Sequence, residues 1–217
     1  MKKILMSAIA ISVMAGATSK VMAQEGFSLN LKATPLFSFL QNSNDNNNSA
    51  VKKKATINAN FGLGTSYNFS DNAGVGLDVL YALQGQKTEV AGLESNQKLE
   101  YLKIPVYFSY NTGASKVVSF YGKIGPQVSF LTNAKINVGK NDDFIKNKDK
   151  FEDVVFGGMA IAGVQFKLSQ DIYLQTGLYF DYDFTNAEDK DYPGFTAGRV
   201  NTYNMNAGLQ VELKYSF

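Results

Sequence analysis

The chain contains no cysteine and no histidine. Without cysteine there are no disulfides, thiolate metal ligands or cysteine nucleophile, and no lipidated N-terminal cysteine. Without histidine, Ser-His-Asp catalysis and the commonest metal ligand are lost. An excess of one charge is missing too: 21 Lys and Arg against 19 Asp and Glu leave a net charge of +2. That balance gives no reason to expect a nucleic-acid or polyanion partner. Nor is there a long hydrophobic run. The longest, Ile4 to Ala17, falls short of the ~20 residues a helical span requires, and nothing after it compares. What is present instead is aromatic and small: 16 Phe, 12 Tyr and 19 Gly in 217 residues. This mix favours strands and close backbone approach in a single domain.

The N-terminus reads as an address. Met1-Lys2-Lys3 is a positive start, Ile4 to Ala17 is apolar, and Val21-Met22-Ala23 ends in small residues. Residues 1–23 are therefore expected to be an export signal, with Gln24 beginning a mature domain over 24–217.

The mature chain repeats one pattern, apolar alternating with polar or small. Ile57, Ala59, Phe61, Leu63, Tyr67 and Phe69 share one face; Thr56, Asn58, Asn60, Gly62, Gly64, Ser66 and Asn68 share the other. The final segment alternates as cleanly, with Tyr203, Met205, Ala207, Leu209, Val211, Leu213, Tyr215 and Phe217 on one side. A period of two over such lengths means strands with two unlike faces. Eight are expected, near 26–40, 55–69, 73–87, 98–110, 117–131, 154–168, 172–184 and 201–217. Short turns at 70–72, 111–113 and 169–171 alternate with long polar loops at 41–54, 88–97, 132–153 and 185–200. The Asn-rich stretch 42–48 reads as part of the first long loop.

The polar face is rich in Gly, Asn and Ser rather than Lys and Glu, which suits the crowded interior of a narrow closed barrel. Aromatics recur near strand ends, as interfacial girdles do. Together these features predict an all-β fold: an eight-stranded antiparallel up-and-down transmembrane β-barrel, closed so that lipid meets no unpaired backbone. The expected location is the outer membrane of a Gram-negative cell envelope. Outer-membrane lipid and, during biogenesis, the barrel assembly machinery are the expected partners. The outward Phe217, in register with Tyr215 and Leu213, looks like the signal that machinery reads. A soluble β-sandwich or lipocalin-like barrel is the competing fold.

Tyr101-Leu102-Lys103-Ile104-Pro105-Val106-Tyr107 and Tyr121-Gly122-Lys123-Ile124-Gly125-Pro126 resemble two strand motifs of the PorT-type outer-membrane β-barrel family (OMP_b-brl_2-like, often called porin-family proteins). Lys103 stands where that family usually carries an acid. The resemblance implies location and fold, and it admits a role beside a secretion machine. Pro105 and Pro126 lack a ladder donor, so each is expected at a bulge or other irregularity.

On this register Lys32, Asp78, Lys103, Lys123, Lys167, Asp181, Asp183, Glu212 and Lys214 point inward, with Tyr101, Tyr107, Tyr121, Tyr173 and Tyr179. Eight strands enclose a space that side chains fill. Lys32, Asp78, Lys103, Tyr107, Tyr121, Lys123, Asp181 and Glu212 are thus expected to form a lumenal polar network, Asp78 and Glu212 compensating the lysines. Asp181 and Asp183 read as a solvated rim near the outer mouth. The acids at 142–143, 189 and 191 lack the ordered oxygen spacing of a calcium loop. No cofactor, metal or catalytic residue is expected. The functional expectation is a structural or interaction barrel that contacts a secretion machine or an external partner through its loops or periplasmic rim. The alternatives are a small porin or passive channel and, with least support, an outer-membrane enzyme.

Overall fold

A computed structural model describes residues 26–46, 51–113, 116–139, 143–195 and 198–217. The segment read as an export signal, 1–23, lies outside the described residues. Eight strands form the wall: β1 Gly26–Gln41, β2 Val51–Asn68, β3 Ala73–Val90, β4 Leu93–Asn111, β5 Val118–Val138, β6 Val154–Lys167, β7 Ile172–Asp183 and β8 Tyr203–Ser216. Each pairs antiparallel with its sequence neighbour, and β1 pairs with β8 to close the ring. A two-residue strand, Ile145–Lys146, lies against the outer end of β5. One helical turn, α1, covers Ser43–Asn46.

The alternation has one consequence that rules out a water-soluble fold. In β1, Ser28, Asn30, Lys32 and Thr34 are buried, whereas Phe27, Leu29, Leu31 and Phe37 are exposed. The same inversion holds around the ring, with Leu63 64% and Ile124 64% exposed. Apolar side chains on the outside and polar ones within minimise free energy only when the surrounding solvent is hydrocarbon. The soluble alternatives fail on this point.

Following the pairing outward from Phe27 through Tyr67, Val75, Phe108, Ile124, Ala160, Phe180 and Ala207 returns to β1 at Phe37, ten residues further on. This stagger tilts the strands steeply, as closure of a small barrel demands. It also sorts the outward aromatics into two belts. Phe27 packs on Tyr67 (4.9 Å between centroids) and Tyr215 on Phe217 (5.1 Å) at the short-turn end. Phe61 packs on Tyr81 (5.6 Å) and Tyr182 on Tyr203 (5.7 Å) toward the long-loop end. The belts lie roughly 25 Å apart along the axis, the height of an outer-membrane apolar band.

Four strands, β2 to β5, run beyond their expected ends. β3 and β4 continue through the span 88–97 and join at Ala91–Gly92, both at positive φ (50° and 81°). Two consecutive left-handed residues make the tight turn that matches strand twist. The expected long loop is therefore a projecting hairpin, flanked by the extra lengths of β2 and β5. Pro35, Pro105 and Pro126 each coincide with a gap in one ladder that leaves the register unchanged. The true shifts lie elsewhere, between Ala55 and Asn60 and between Glu100 and Tyr101. A missing N–H removes one bond without needing an extra residue.

Candidate functional site

Among the described residues, the lumen is where charge is concentrated away from water. Its contents fall into levels. At mid-height, Lys32 from β1 donates to Asp78 Oδ2 on β3 (2.5 Å) and to the Tyr107 hydroxyl on β4 (3.2 Å). Tyr107 donates in turn to Asp78 Oδ1 (3.2 Å). Glu212 on β8 lies 3.3 Å from the Lys32 ammonium and accepts from Lys123 of β5 at 2.8 and 2.6 Å. Gln210 donates to the same carboxylate (3.0 Å). Five strands are thus tied by two lysines, two acids and Tyr107. Charge-assisted bonds of this kind recover the desolvation that unpaired ions would suffer.

Small residues make room for this cluster. A Cβ on Gly64 would collide with the Asp78 carboxylate, and one on Gly76 with the Tyr107 ring. Gly76→Leu is therefore expected to prevent closure, seen as loss of the fast-migrating unheated band on SDS gels; an unaltered band would show that Tyr107 has room to move.

Nearer the loops, Lys103 of β4 donates to Asp181 of β7 (2.9 Å) across the lumen. Asn206 and Tyr179 donate to the same carboxylate at 2.8 and 2.6 Å. Asn204 donates to Asp183 (2.6 Å) and to the Tyr101 hydroxyl (3.3 Å). Leu36, Met159 and Ile161 fill the space between the two clusters; Leu99, Leu131, Phe151, Val155 and Ala187 cap the outer end.

Of the eight residues expected in a polar network, Lys32, Asp78, Tyr107, Lys123 and Glu212 come together in the first cluster, and Lys103 and Asp181 in the second. Tyr121 is buried near Lys123, 5.4 Å from its ring centroid to the ammonium, and its hydroxyl has no partner among the described residues. Two expectations need correction. Lys103 is compensated by Asp181, not by Asp78 or Glu212. Asp181 and Asp183 are fully buried rather than a solvated rim, because β4 and β5 rise past them and loop residues close above. Lys167 sits only half-buried at the inner mouth, over the Tyr173 ring. Among the described residues no group of acids is placed to hold a metal ion; Asp142 lies outside them.

The closure of the outer mouth was not foreseen. Arg199 forks onto Asp45 of α1 (2.9 and 3.0 Å) and onto Glu188 (2.7 and 3.0 Å). Asn42 donates to Val200 O and Thr202 Oγ1 (2.9 and 2.8 Å), and Phe151 bridges to Glu188. The loops after β1, β5 and β7 are thereby locked over the lumen. Burial opposes ionisation of Asp45, yet the hydrogen bonds and charge of Arg199, with Lys53 beyond, hold its carboxyl below the usual aspartate range. The hydrogen bonds that Arg199 donates to Glu188 and Asp45 push it higher still.

Comparison with known proteins agrees with this architecture. Residues 22–187 match the family described as outer membrane protein beta-barrel domain. No curated protein sequence matches the chain significantly. Among solved structures, the chain is similar to the outer membrane protein OprG of Pseudomonas aeruginosa, at 13% identity, TM-score 0.53, over 89% of this chain and 97% of that one. It is similar also to neisserial surface protein A, at 14% identity, TM-score 0.53, over 88% and 97%. Those likenesses concern the fold. With lipid-facing apolar walls, two aromatic belts and a family match over most of its length, the chain belongs to the outer-membrane β-barrel proteins and resides in the bacterial outer membrane.

Proposed function

We propose that this barrel is a sealed scaffold that engages an external partner through the part projecting beyond the outer aromatic belt. The observation that carries this reading is the pairing of lumenal charge across the barrel, Lys123 to Glu212 and Lys103 to Asp181. An ion path needs an unpaired, wet stripe; these crossbars occupy that space instead. The locked outer loops support the same reading. So does the extension of β2 to β5, which presents Leu93 (64% exposed), Val138, Ile145 (70%) and the lysines 52, 54, 87 and 98 above the membrane. Exposed aliphatics beside charge outside the lipid band suit a protein surface. The periplasmic rim, made of short turns, offers a secretion machine far less area. Residues 1–23 are proposed to direct export, and the outward Phe217, Tyr215 and Leu213 to guide assembly by the barrel machinery.

Single-channel recording of the purified barrel in a planar bilayer tests this, with Lys103→Ala and Lys123→Ala alongside. The wild type is expected to be silent while showing the fast unheated band of a folded barrel. Steady wild-type conductance that the two substitutions alter would replace the scaffold reading with that of a charge-lined pore.

A further inference from the structure

Below the mid-height cluster, toward the short turns, the balance of lumenal charge breaks. Lys32 and Lys123 are matched by Asp78 and Glu212, but Lys214 adds a third cation at the inner end of β8. Its ammonium has no carboxylate within 4.0 Å and no hydrogen bond among the described residues. Glu212, the nearest acid to act on it, is already engaged by two lysines and Gln210. Lys214 lines a cavity of about 40 Å³ together with Ser66, Tyr107, Tyr121, Gln165 and Gln175. Space of that size holds about three waters, or one small anion with its remaining hydration.

The residues of this wall leave donors without an acceptor, beside one buried acceptor without a donor, Gln175 Oε1. The Tyr121 hydroxyl is buried without a partner among the described residues. Gln165 accepts from Gln175 through its oxygen (2.7 Å), leaving its own amide hydrogens unengaged by described residues. The only acidic side chain among the lining residues, Asp71, belongs to the β2–β3 turn. A cation with no carboxylate in ion-pair contact and a buried phenol with no acceptor among the described residues, both lining one polar cavity at the inner mouth, are complementary to negative charge.

We infer that the periplasmic end of the lumen is a binding site for one small inorganic anion, between chloride and phosphate in size, seated on Lys214 with the Tyr121 hydroxyl. The site stands whether or not the barrel conducts, because the cluster above it is complete without the anion. Bound there, the anion offsets the local surplus of positive charge at the inner end of the lumen.

Chlorine-35 NMR line width of the folded barrel in detergent tests the assignment, at constant ionic strength with a large organic anion as the balancing salt. The wild type is expected to add a saturable broadening that inorganic phosphate competes away. Lys214→Met should reduce chloride affinity about tenfold or more, as loss of a charged hydrogen-bond donor does, whereas Lys54→Met on the outer extension should leave it unchanged. Should Lys214→Met fail to give the folded band, Tyr121→Phe decides: a several-fold weakening supports the site. Absence of saturable broadening in the wild type, or chloride affinity unchanged by Lys214→Met or by Tyr121→Phe, overturns it.

Discussion

Glu212→Gln is expected to destabilise the folded barrel by about 3–5 kcal/mol, the usual result of breaking a buried ion pair from one side. The substitution keeps the shape and removes the charge. Lys123 then loses the only carboxylate that reaches it among the described residues, at 2.6 Å, and Lys32 keeps Asp78 alone. Two buried ammonium groups then share one carboxylate. Removing both partners should be far milder. Lys123→Met with Glu212→Leu leaves Lys32 and Asp78 as a neutral pair and fills the vacated volume with apolar groups, so most of the loss should be recovered. Folded fractions on unheated gels across a urea series in lipid vesicles measure all of these variants. A Glu212→Gln barrel within 1 kcal/mol of wild type would mean that the cluster is well hydrated, and the pore reading would gain accordingly.

That cluster was legible before any coordinates because a strand's period is two. Once Phe61 and Leu63 are taken as outward, Gly62 and Gly64 must point inward. The same parity places Lys32, Asp78, Lys123 and Glu212 in one lumen. Which residues meet depends on stagger, and stagger is a property of the closed ring. No single strand reveals that Lys103 lies level with Asp181 rather than with Asp78; the ten-residue offset between Phe27 and Phe37 does. Asn60, Asn204, Asn206 and Gln210 were hidden for another reason. As neutral side chains they carry no compensation problem to solve, although their inward parity was there to be read.

The outer end was less legible. Above the lipid band the outward face no longer needs apolar residues, so Lys52, Lys54, Lys87 and Glu89 break the alternation that marks a strand. The hairpin at Ala91–Gly92 consequently read as a loop. Its stability comes instead from cross-strand pairs such as Lys54 with Glu89 and Glu94, at 3.3 and 3.2 Å, and from the turn geometry. Long-range locks are the hardest case. Arg199 and Asp45 are 154 residues apart, and nothing periodic links them.

Arg199→Ala is expected to open this lock while leaving the barrel intact. One guanidinium holds two carboxylates through four hydrogen bonds of 2.7–3.0 Å, so its loss frees α1 and the loop before β8 together, leaving Asp45 with Lys53 alone, at 3.6 Å, and Glu188 without an ion pair among the described residues. Protease added outside intact vesicles should then cut within 184–202 about tenfold faster or more, since charged hydrogen bonds of this kind are the strong ones. The fast-migrating band should persist, because the lumenal clusters lie below the lock. Arg199→Lys should rescue little, as a single ammonium cannot fork onto both acids. Acid should reproduce the effect in the wild type. The Asp45 carboxyl is held below its ordinary range in the folded protein, so its contribution is complete above the ordinary aspartate pKa of about 4 and is lost as pH falls through the lowered value. Cleavage of the wild type should accordingly rise only below about pH 4, and that rise should be absent from Arg199→Ala, whose loops are already free. A variant that stays as resistant as wild type at neutral pH would place the closure of the outer mouth in the apolar cap of Leu99, Leu131 and Phe151 instead.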